Sequence, residues 1–396
     1  MADDEKSDGE SKMKIGIMTM HRVPNYGSFM QAFSLKKMIE SFGHEVVFVD
    51  FEVQPDIEHR NDWKSKIICK KLYVTKYIKG SNLGSKLYET IKSHTKSSEI
   101  VKKQMIFSSC NELLGVTRKY RYRTKVDVLL IGSDEVFNCT QAGYNIGYSL
   151  ELFGKKCRAG CIITYAASFG NTTYSKLAHY GVLSELQELL NKMQAISVRD
   201  RNSKQIIERI CNEEPEYHLD PVLVGNIENI FTQEPLLDNY IILYGYTYRF
   251  TIDECEKIVD FAHARNKIVV AIGEPQYRAD KYICCRPDEV IGYFKKADYV
   301  ITDTFHGTIF SVITHRKFLT VVRNSIENAG GGNSEKLECL LDDLDLRNRQ
   351  LVNFARLNAI DDDINYERVD DIRRQAREKS LQYLNENTSM MKVENK

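Results

Sequence analysis

Several common signatures are absent from this 396-residue sequence. None of the ten cysteines stands in a CxxC pair, and none joins histidines at zinc-ligand spacing. Cys157 with Cys161, and the adjacent Cys284 and Cys285, are the only close sets. That is the usage of a reducing cytosol and not of a secreted disulfide framework. No apolar run approaches the ~20 residues of a spanning helix. The start, "MADDEKSDGESK", lacks the basic and apolar regions of a signal peptide. The expected location is therefore cytoplasmic. Charge of one sign is lacking too: Lys+Arg and Asp+Glu both number 55, which excludes a strongly basic nucleic-acid binder. There is no GxGxxG, no P-loop, no internal repeat and no low-complexity segment beyond the two ends.

A hydrophobic fraction of 42% and a charged fraction of 28% belong to a globular protein. The length calls for two domains. After a polar tail, residues 1–12, expected to be disordered, "KIGIMTM" reads as a buried strand, "SFMQAFSLKKMIESFGH" as a helix stopped at Gly43, and "EVVFVDF" as a second strand. Such β-α-β units build parallel sheets. Residues 56–125 show no clean strand and form a largely helical insertion. It is basic, with 17 Lys/Arg against 5 Asp/Glu from Glu58 to Lys125. It is either a solvated lysine-rich face or a patch that meets an anionic surface or substrate.

The β/α pattern returns with "VDVLLIGSDEVFN", "CIITYAASFG" and "AISVRDRNS", the helix "KLAHYGVLSELQELLNKM" lying between the last two. A second set runs through "YIILYGY", "KIVVAIG", "DYVITD" and "FLTVVRN". Two consecutive α/β halves result, residues 13–228 and 229–348, followed by a charged helical segment and tail, 349–396. Doubly wound halves of this kind face each other across a cleft at the carboxyl ends of their strands, and every polar motif falls at such an end.

Those motifs supply the candidates. In "PNYGSFMQA", Asn25, Gly27 and Ser28 open the first helix, where backbone amides suit an anion; a turn glycine and a serine cap would look the same. Ser133, Asp134 and Asn138 follow an apolar strand and could hold a sugar hydroxyl, Asp134 equally reading as a helix cap. Ser168 follows small residues that permit close backbone approach. Arg199 ends a strand in the cleft, where a guanidinium suits carboxylate or phosphate unless Asp200 or Asp220 neutralises it. In "ITDTFHGTIF", Asp303, Thr304, His306, Gly307 and Thr308 close a strand and open a helix, which makes His306 either a satisfied structural histidine or the acid of a site.

The ordered set "NYGSFMQA", "IGSDEVFN", "YAASFG", "SVRDRNS", "LDPVLV" and "ITDTFHGTIFSVITHRKF" resembles the polysaccharide pyruvyl transferases, from Lys14 to about Leu346. The resemblance implies a GT-B-like fold, two Rossmann-like domains facing each other across a cleft, with the helical insertion in the first. It implies transfer of the pyruvyl group of phosphoenolpyruvate to paired hydroxyls of a saccharide, often lipid-diphosphate-linked, in surface polysaccharide biosynthesis. No cofactor is implied, phosphoenolpyruvate being a substrate.

Carried over, Arg199 matches the donor-binding arginine and His306 the HG-motif histidine. Thr304 stands where some members carry an arginine, so a further donor anchor is expected from Ser28 and its helix N-terminus. Glu335 replaces the arginine of an "NSR" near Asn333. On this reading His306 and Asp134 are catalytic. Arg199, Asn25, Gly27, Ser28, Thr304, Gly307 and Thr308 bind donor; Ser133, Asn138, Ser168 and Asp303 bind acceptor. The basic insertion would meet the inner face of the cytoplasmic membrane. The same fold also serves glycosyltransferases that use nucleotide sugars, for which Glu274 is the one candidate ribose ligand, and non-catalytic saccharide-binding modules.

Overall fold

The computed structural model describes residues 12–79, 98–141, 143, 147–247, 249–323 and 334–389, without the side chains of 77–79 and 98–101. The expected N-terminal tail up to residue 11, Asn333, the last residues of the C-terminal tail and part of the basic insertion lie outside them. Two six-stranded sheets carry the fold, and every strand pairing in them is parallel.

The first sheet comprises β1 (Lys14–Met18), β2 (Glu45–Phe48), β3 (Val126–Asp134), β4 (Ala159–Ala167), β5 (Ser197–Val198) and β6 (Glu216–Tyr217), in the order β2-β1-β3-β4-β5-β6. The second comprises β7 (Tyr240–Tyr244), β8 (Ile268–Ile272), β9 (Lys281–Ile283), β10 (Tyr299–Thr302), β11 (Lys317–Val321) and β12 (Gln350–Leu351), in the order β12-β11-β10-β7-β8-β9. This is the GT-B-like pair of Rossmann-like halves that the motifs imply. Because β12 pairs with β11, the second sheet continues past residue 348.

The described helices are α1 (Tyr26–Glu40), α2 (Trp63–Lys79), α3 (Ser98–Ser109), α4 (Asn111–Leu114), α5 (Tyr174–His179), α6 (Leu183–Leu190), α7 (Arg201–Cys211), α8 (Pro221–Val224), α9 (Ile252–His263), α10 (Val290–Lys296), α11 (Phe305–Ile313), α12 (Ser334–Asp343) and α13 (Tyr366–Ser389). Side chains start them: Asn25 accepts from Ser28 N, Asp200 from Ser203 N, and Thr251 with Glu254 forms a capping box. The single helix expected between β4 and β5 is instead the pair α5 and α6, broken at Gly181, whose φ of 63° a helix cannot continue through.

The halves share one core. Tyr26, Phe29, Met30 and Phe33 of α1 belong to the same buried cluster as Phe294, Ile309 and Phe310 of the second half, and the Phe33 and Phe231 rings lie 4.9 Å apart. Helix α13 then returns to the first half. Arg373 Nη2 meets Glu228 Oε1 at 2.6 Å, and Tyr383 Oη donates to Thr164 O at 2.8 Å. The two sheets are thus held at one angle around the seam by apolar packing and by a helical clasp.

Under that clasp His218 is 2% exposed, its Nδ1 2.8 Å from Ser197 Oγ and its ring 4.6 Å from that of Tyr383. Burial, with Lys379 nearby, pushes its pKa down from 6.5 to about 4. The folded protein binds this proton less tightly than the unfolded chain. Stability is therefore full above pH ~6.5 and falls by up to ~3 kcal/mol as the pH drops towards 4. Melting temperatures across this range should show the fall, and the His218→Phe variant should flatten it relative to the parent. Parallel curves would remove His218 as the cause.

Candidate active site

In an open parallel sheet the loops part where the strand order reverses. In the first sheet that point lies between β1 and β3, and in the second between β7 and β10. The first opens at Asn25 to Ser28 and at Gly132 to Glu135; the second opens at Gly245 to Thr247 and at Asp303 to His306. The two switch points meet.

His306 sits in the first turn of α11, which Thr304 begins by accepting from Gly307 N at 2.9 Å. Its ring lies on the backbone of the first turn of α1: a Cβ on Gly27 would stand 2.1 Å from His306 Nδ1. Gly27 is therefore glycine because the imidazole occupies its side-chain position. Across the seam, His306 Nε2 stops 3.6 Å from Asp220 Oδ2, buried and beyond hydrogen-bond reach.

Asp220 caps α8 with one oxygen, Oδ1 accepting from Val222 N at 3.0 Å. The other oxygen, Oδ2, receives Arg199 Nη1 at 2.6 Å and Ser133 Oγ at 3.3 Å. Burial pushes this carboxyl up, but His306 and then Arg199 more than reverse the effect and leave it at about 2. Arg199 is thus neutralised by Asp220, the structural alternative posed by its sequence. It is 7% exposed, its guanidinium lies 4.6 Å over the Phe305 ring, and its Nη2 is 3.5 Å from Asp134 Oδ1. Burial lowers its pKa, yet Asp220, Asp134 and Glu135 outweigh that and raise it. Only an edge of the guanidinium remains for a ligand.

Around this centre the expected residues divide. Asp134 and Ser28 come together, Ser28 Oγ donating to Asp134 Oδ2 at 2.8 Å, while Asn25 caps α1. With Gly27, Arg199 and His306 they form one cluster. Thr304 is spent on capping α11. Gly307 is glycine because a Cβ would stand 2.1 Å from Thr302 Oγ1. Thr308, fully buried, bonds Thr304 O and Thr320 Oγ1 and so offers nothing to a donor.

The four expected acceptor ligands are not at the surface of the cluster. Ser133 is fully buried beneath Asp220. Asn138 binds Glu135 and accepts from Thr172, and Ser168 Oγ accepts from Gly170 N, both closing a loop. Asp303 is buried with Arg249 Nε 2.9 Å away, and burial, against the pull of Arg249 and Arg323, pushes its carboxyl up to about 6.

Three participants were not among the expected site residues. Asp220 was legible as punctuation in "LDPVLV" and as one possible partner for Arg199, but not as the residue facing His306. Glu135 and Lys336 join the halves across the cleft at 2.6 Å. Burial raises the Glu135 pKa, but Lys336 and Asn138 bring it down to about 2. Glu335 faces away and accepts from Asn202 N at 2.9 Å. Lys336 thus brings a cation to the cleft one residue after the position where an arginine was expected. Among the described residues no group of three or more His, Cys, Asp or Glu side chains is placed to hold a metal ion.

The family model for polysaccharide pyruvyl transferase matches residues 25–325. No curated protein matches the chain. Several solved structures are similar at low identity. A putative UDP-N-acetylglucosamine 2-epimerase from Listeria monocytogenes is 10% identical, with 92% of this chain and 91% of that one covered and a TM-score of 0.47. A glycotransferase of kitacinnamycin is 11% identical, with 94% and 98% covered and a TM-score of 0.45. The UDP-GlcNAc 2-epimerase of Methanocaldococcus jannaschii, in complex with UDP-GlcNAc and UDP, is 12% identical, with 83% and 92% covered and a TM-score of 0.41. Likenesses this distant carry no weight on function, and the two-sheet architecture rests on its own strand order.

The contact between Gly27 and His306 can be tested without any substrate. In an unobstructed helix Gly→Ala stabilises by about 0.5–1 kcal/mol. Here Gly27→Ala should lower the melting temperature, and the Gly27→Ala/His306→Ala double variant should recover most of the loss, a coupling of about 1 kcal/mol or more. Additive effects would show that the ring does not rest on Gly27.

Proposed function

The chain belongs to the polysaccharide pyruvyl transferase family, and on that footing we propose that it moves the pyruvyl group of phosphoenolpyruvate onto a hydroxyl pair of a saccharide. The observation that carries the proposal is His306. Its ring stands at the meeting of both switch points, over the N-terminus of α1, with a buried Nε2 that makes no hydrogen bond among the described residues.

The donor is an enol phosphate with a carboxylate. One acceptor hydroxyl adds to C2 as a proton is delivered to the methylene carbon, which becomes the methyl group. The second hydroxyl then displaces phosphate from C2, closing the cyclic ketal. Of the two hydroxyl protons, one replaces the proton consumed at carbon and the other leaves with inorganic phosphate. Donor and acceptor together balance the reaction, and no cofactor enters.

On this reading His306 hands a proton to carbon or to the departing phosphate, its Nε2 standing 3.6 Å from Asp220 Oδ2. The amides at the start of α1, the exposed edge of Arg199 and Lys336 supply positive potential for the two anionic groups. Asp134, at the open end of β3, is set to receive a hydroxyl proton from the acceptor. For the nucleotide-sugar alternative, the candidate ribose ligand was Glu274. Its carboxylate is instead engaged by Lys103 and by Thr247 Oγ1, the latter at 3.1 Å. A lipid-diphosphate anchor on the saccharide is part of the same proposal.

Release of inorganic phosphate from phosphoenolpyruvate should depend on a saccharide acceptor, free or lipid-linked. His306→Gln should cut turnover by on the order of 10²-fold or more while the protein melts normally. Near-normal turnover in that variant would remove His306 from the chemistry. Lys336→Gln should act differently, raising the KM for phosphoenolpyruvate by about tenfold with a smaller change in kcat. An unchanged KM would leave Lys336 as a structural partner of Glu135 only.

A further inference from the structure

Helix α2 has two unlike faces. Inward, Ser65 and Cys69 are buried, and the Tyr73 ring lies 4.9 Å from that of Tyr122. Outward, Trp63, Ile67, Lys70 and Val74 follow one another at i, i+4, i+7 and i+11, a single stripe along the helix. Trp63 is 64%, Ile67 43% and Val74 45% exposed. With Ile68 and Met105, five of the twelve exposed large hydrophobic side chains among the described residues fall in the insertion. A stripe of this kind left in water calls for an occupant.

We propose that the outer face of α2 docks on an anionic lipid bilayer, with Trp63, Ile67 and Val74 entering the headgroup region and the flanking lysines meeting lipid phosphates. The charge of the helix selects this occupant. From Trp63 to Lys79 there are six lysines and no acidic residue. Lys64, Lys66, Lys70 and Lys71 are exposed, and none is in an ion pair among the described residues. Lysine stems can lie along an apolar surface while their ammonium groups reach phosphates, so Lys70 within the stripe and Lys66 and Lys71 beside it suit an interfacial helix. A nucleic acid or another soluble polyanion would use the lysines and leave the tryptophan in water. A peptide partner would want a groove, whereas this is the convex side of one helix. Among the described residues no helix is long and apolar enough to cross a membrane, so the contact is peripheral.

The place of α2 gives the docking a purpose. Tyr122 bridges to Asp50, just past the carboxyl end of β2, and Arg22 from the end of β1 pairs with the same aspartate. At the other side of the insertion Lys103 pairs with Glu274, just past β8. The insertion therefore lies along the rim where the carboxyl ends of both sheets open, and a bilayer held by α2 would present lipid-borne substrates to that rim. The assignment does not depend on which reaction the cleft performs.

The chain has one tryptophan, so emission excited at the red edge, where tyrosine does not absorb, reports Trp63 alone. Full-length protein should show a blue-shifted emission and quenching by brominated lipid with vesicles of phosphatidylcholine plus phosphatidylglycerol, and neither with phosphatidylcholine alone. Ile67→Asp/Val74→Asp, which keeps the probe, should abolish both signals. Replacing Lys64, Lys66, Lys70 and Lys71 with glutamine should weaken co-sedimentation by roughly 10²-fold or more, as added salt should in part. No binding, equal binding to neutral vesicles, or binding to heparin and vesicles alike without a blue shift would each overturn the proposal, the last by making α2 a polyanion site. Both variants should release phosphate normally with a soluble acceptor. Failure of the parent protein in that assay would count against pyruvyl transfer and leave the docking result standing.

Discussion

The carboxylate of Asp220 is the point on which the cleft is built. One of its oxygens starts α8. The other takes the full weight of Arg199, receives Ser133 and faces His306. Arg199 and Asp220 come from the first half and His306 from the second, so the ionic centre is also a joint between domains. A buried pair of this kind contributes little net stability, but removing one partner leaves an uncompensated charge worth about 3–5 kcal/mol. The geometry of the centre is therefore stiff, and the imidazole has one place to be.

Rigidity of the seam follows from the same layout. The first turn of α1 gives its backbone to His306 at Gly27, and Tyr26, Phe29 and Phe33 of the same helix enter the shared core. Tyr26 Oη reaches across to Cys285 O at 2.8 Å, and its ring meets that of Phe107 from α3 at 5.0 Å. One helix thus joins chemistry, core and insertion, and α13 closes the arrangement from behind. Ligand access is left to the rim, where Lys336, Arg249 and Tyr246 of the second half stand opposite Asp134 and Glu135 of the first. The cluster as it stands holds at least as many carboxylates, Asp134, Glu135, Asp220 and Asp303, as fixed cations, Arg199, Arg249 and Lys336. An anionic ligand there would therefore depend on the α1 amides for much of its attraction.

Much of this was legible in the residues. Alternation of apolar runs with helical periodicity placed both halves, because strand and helix periods are local properties of the chain. The cleft position of Asn25, Gly27, Ser28, Asp134, Arg199 and His306 was legible too, since in parallel sheets the ends of strands are where loops carry function. Short elements were not: β5, β6 and β12 span two residues each, too few for a period to show, and they exist because neighbouring strands offer them hydrogen bonds.

The sequence by itself determined the two-half α/β plan, the basic insertion and the candidates that line the cleft. Tertiary structure alone decided which candidates come together at the cleft and which are spent inside the fold. Ser133, Asn138, Ser168, Asp303 and Thr308 carry the right functional groups, yet each spends them on a neighbour far away in the chain or on its own loop. Asp220, read as a turn residue or a partner for Arg199, proved to be the hub. The physical reason is that a polar side chain buried in a fold must find a partner, and the identity of that partner depends on where distant strands end. No local pattern encodes that distance.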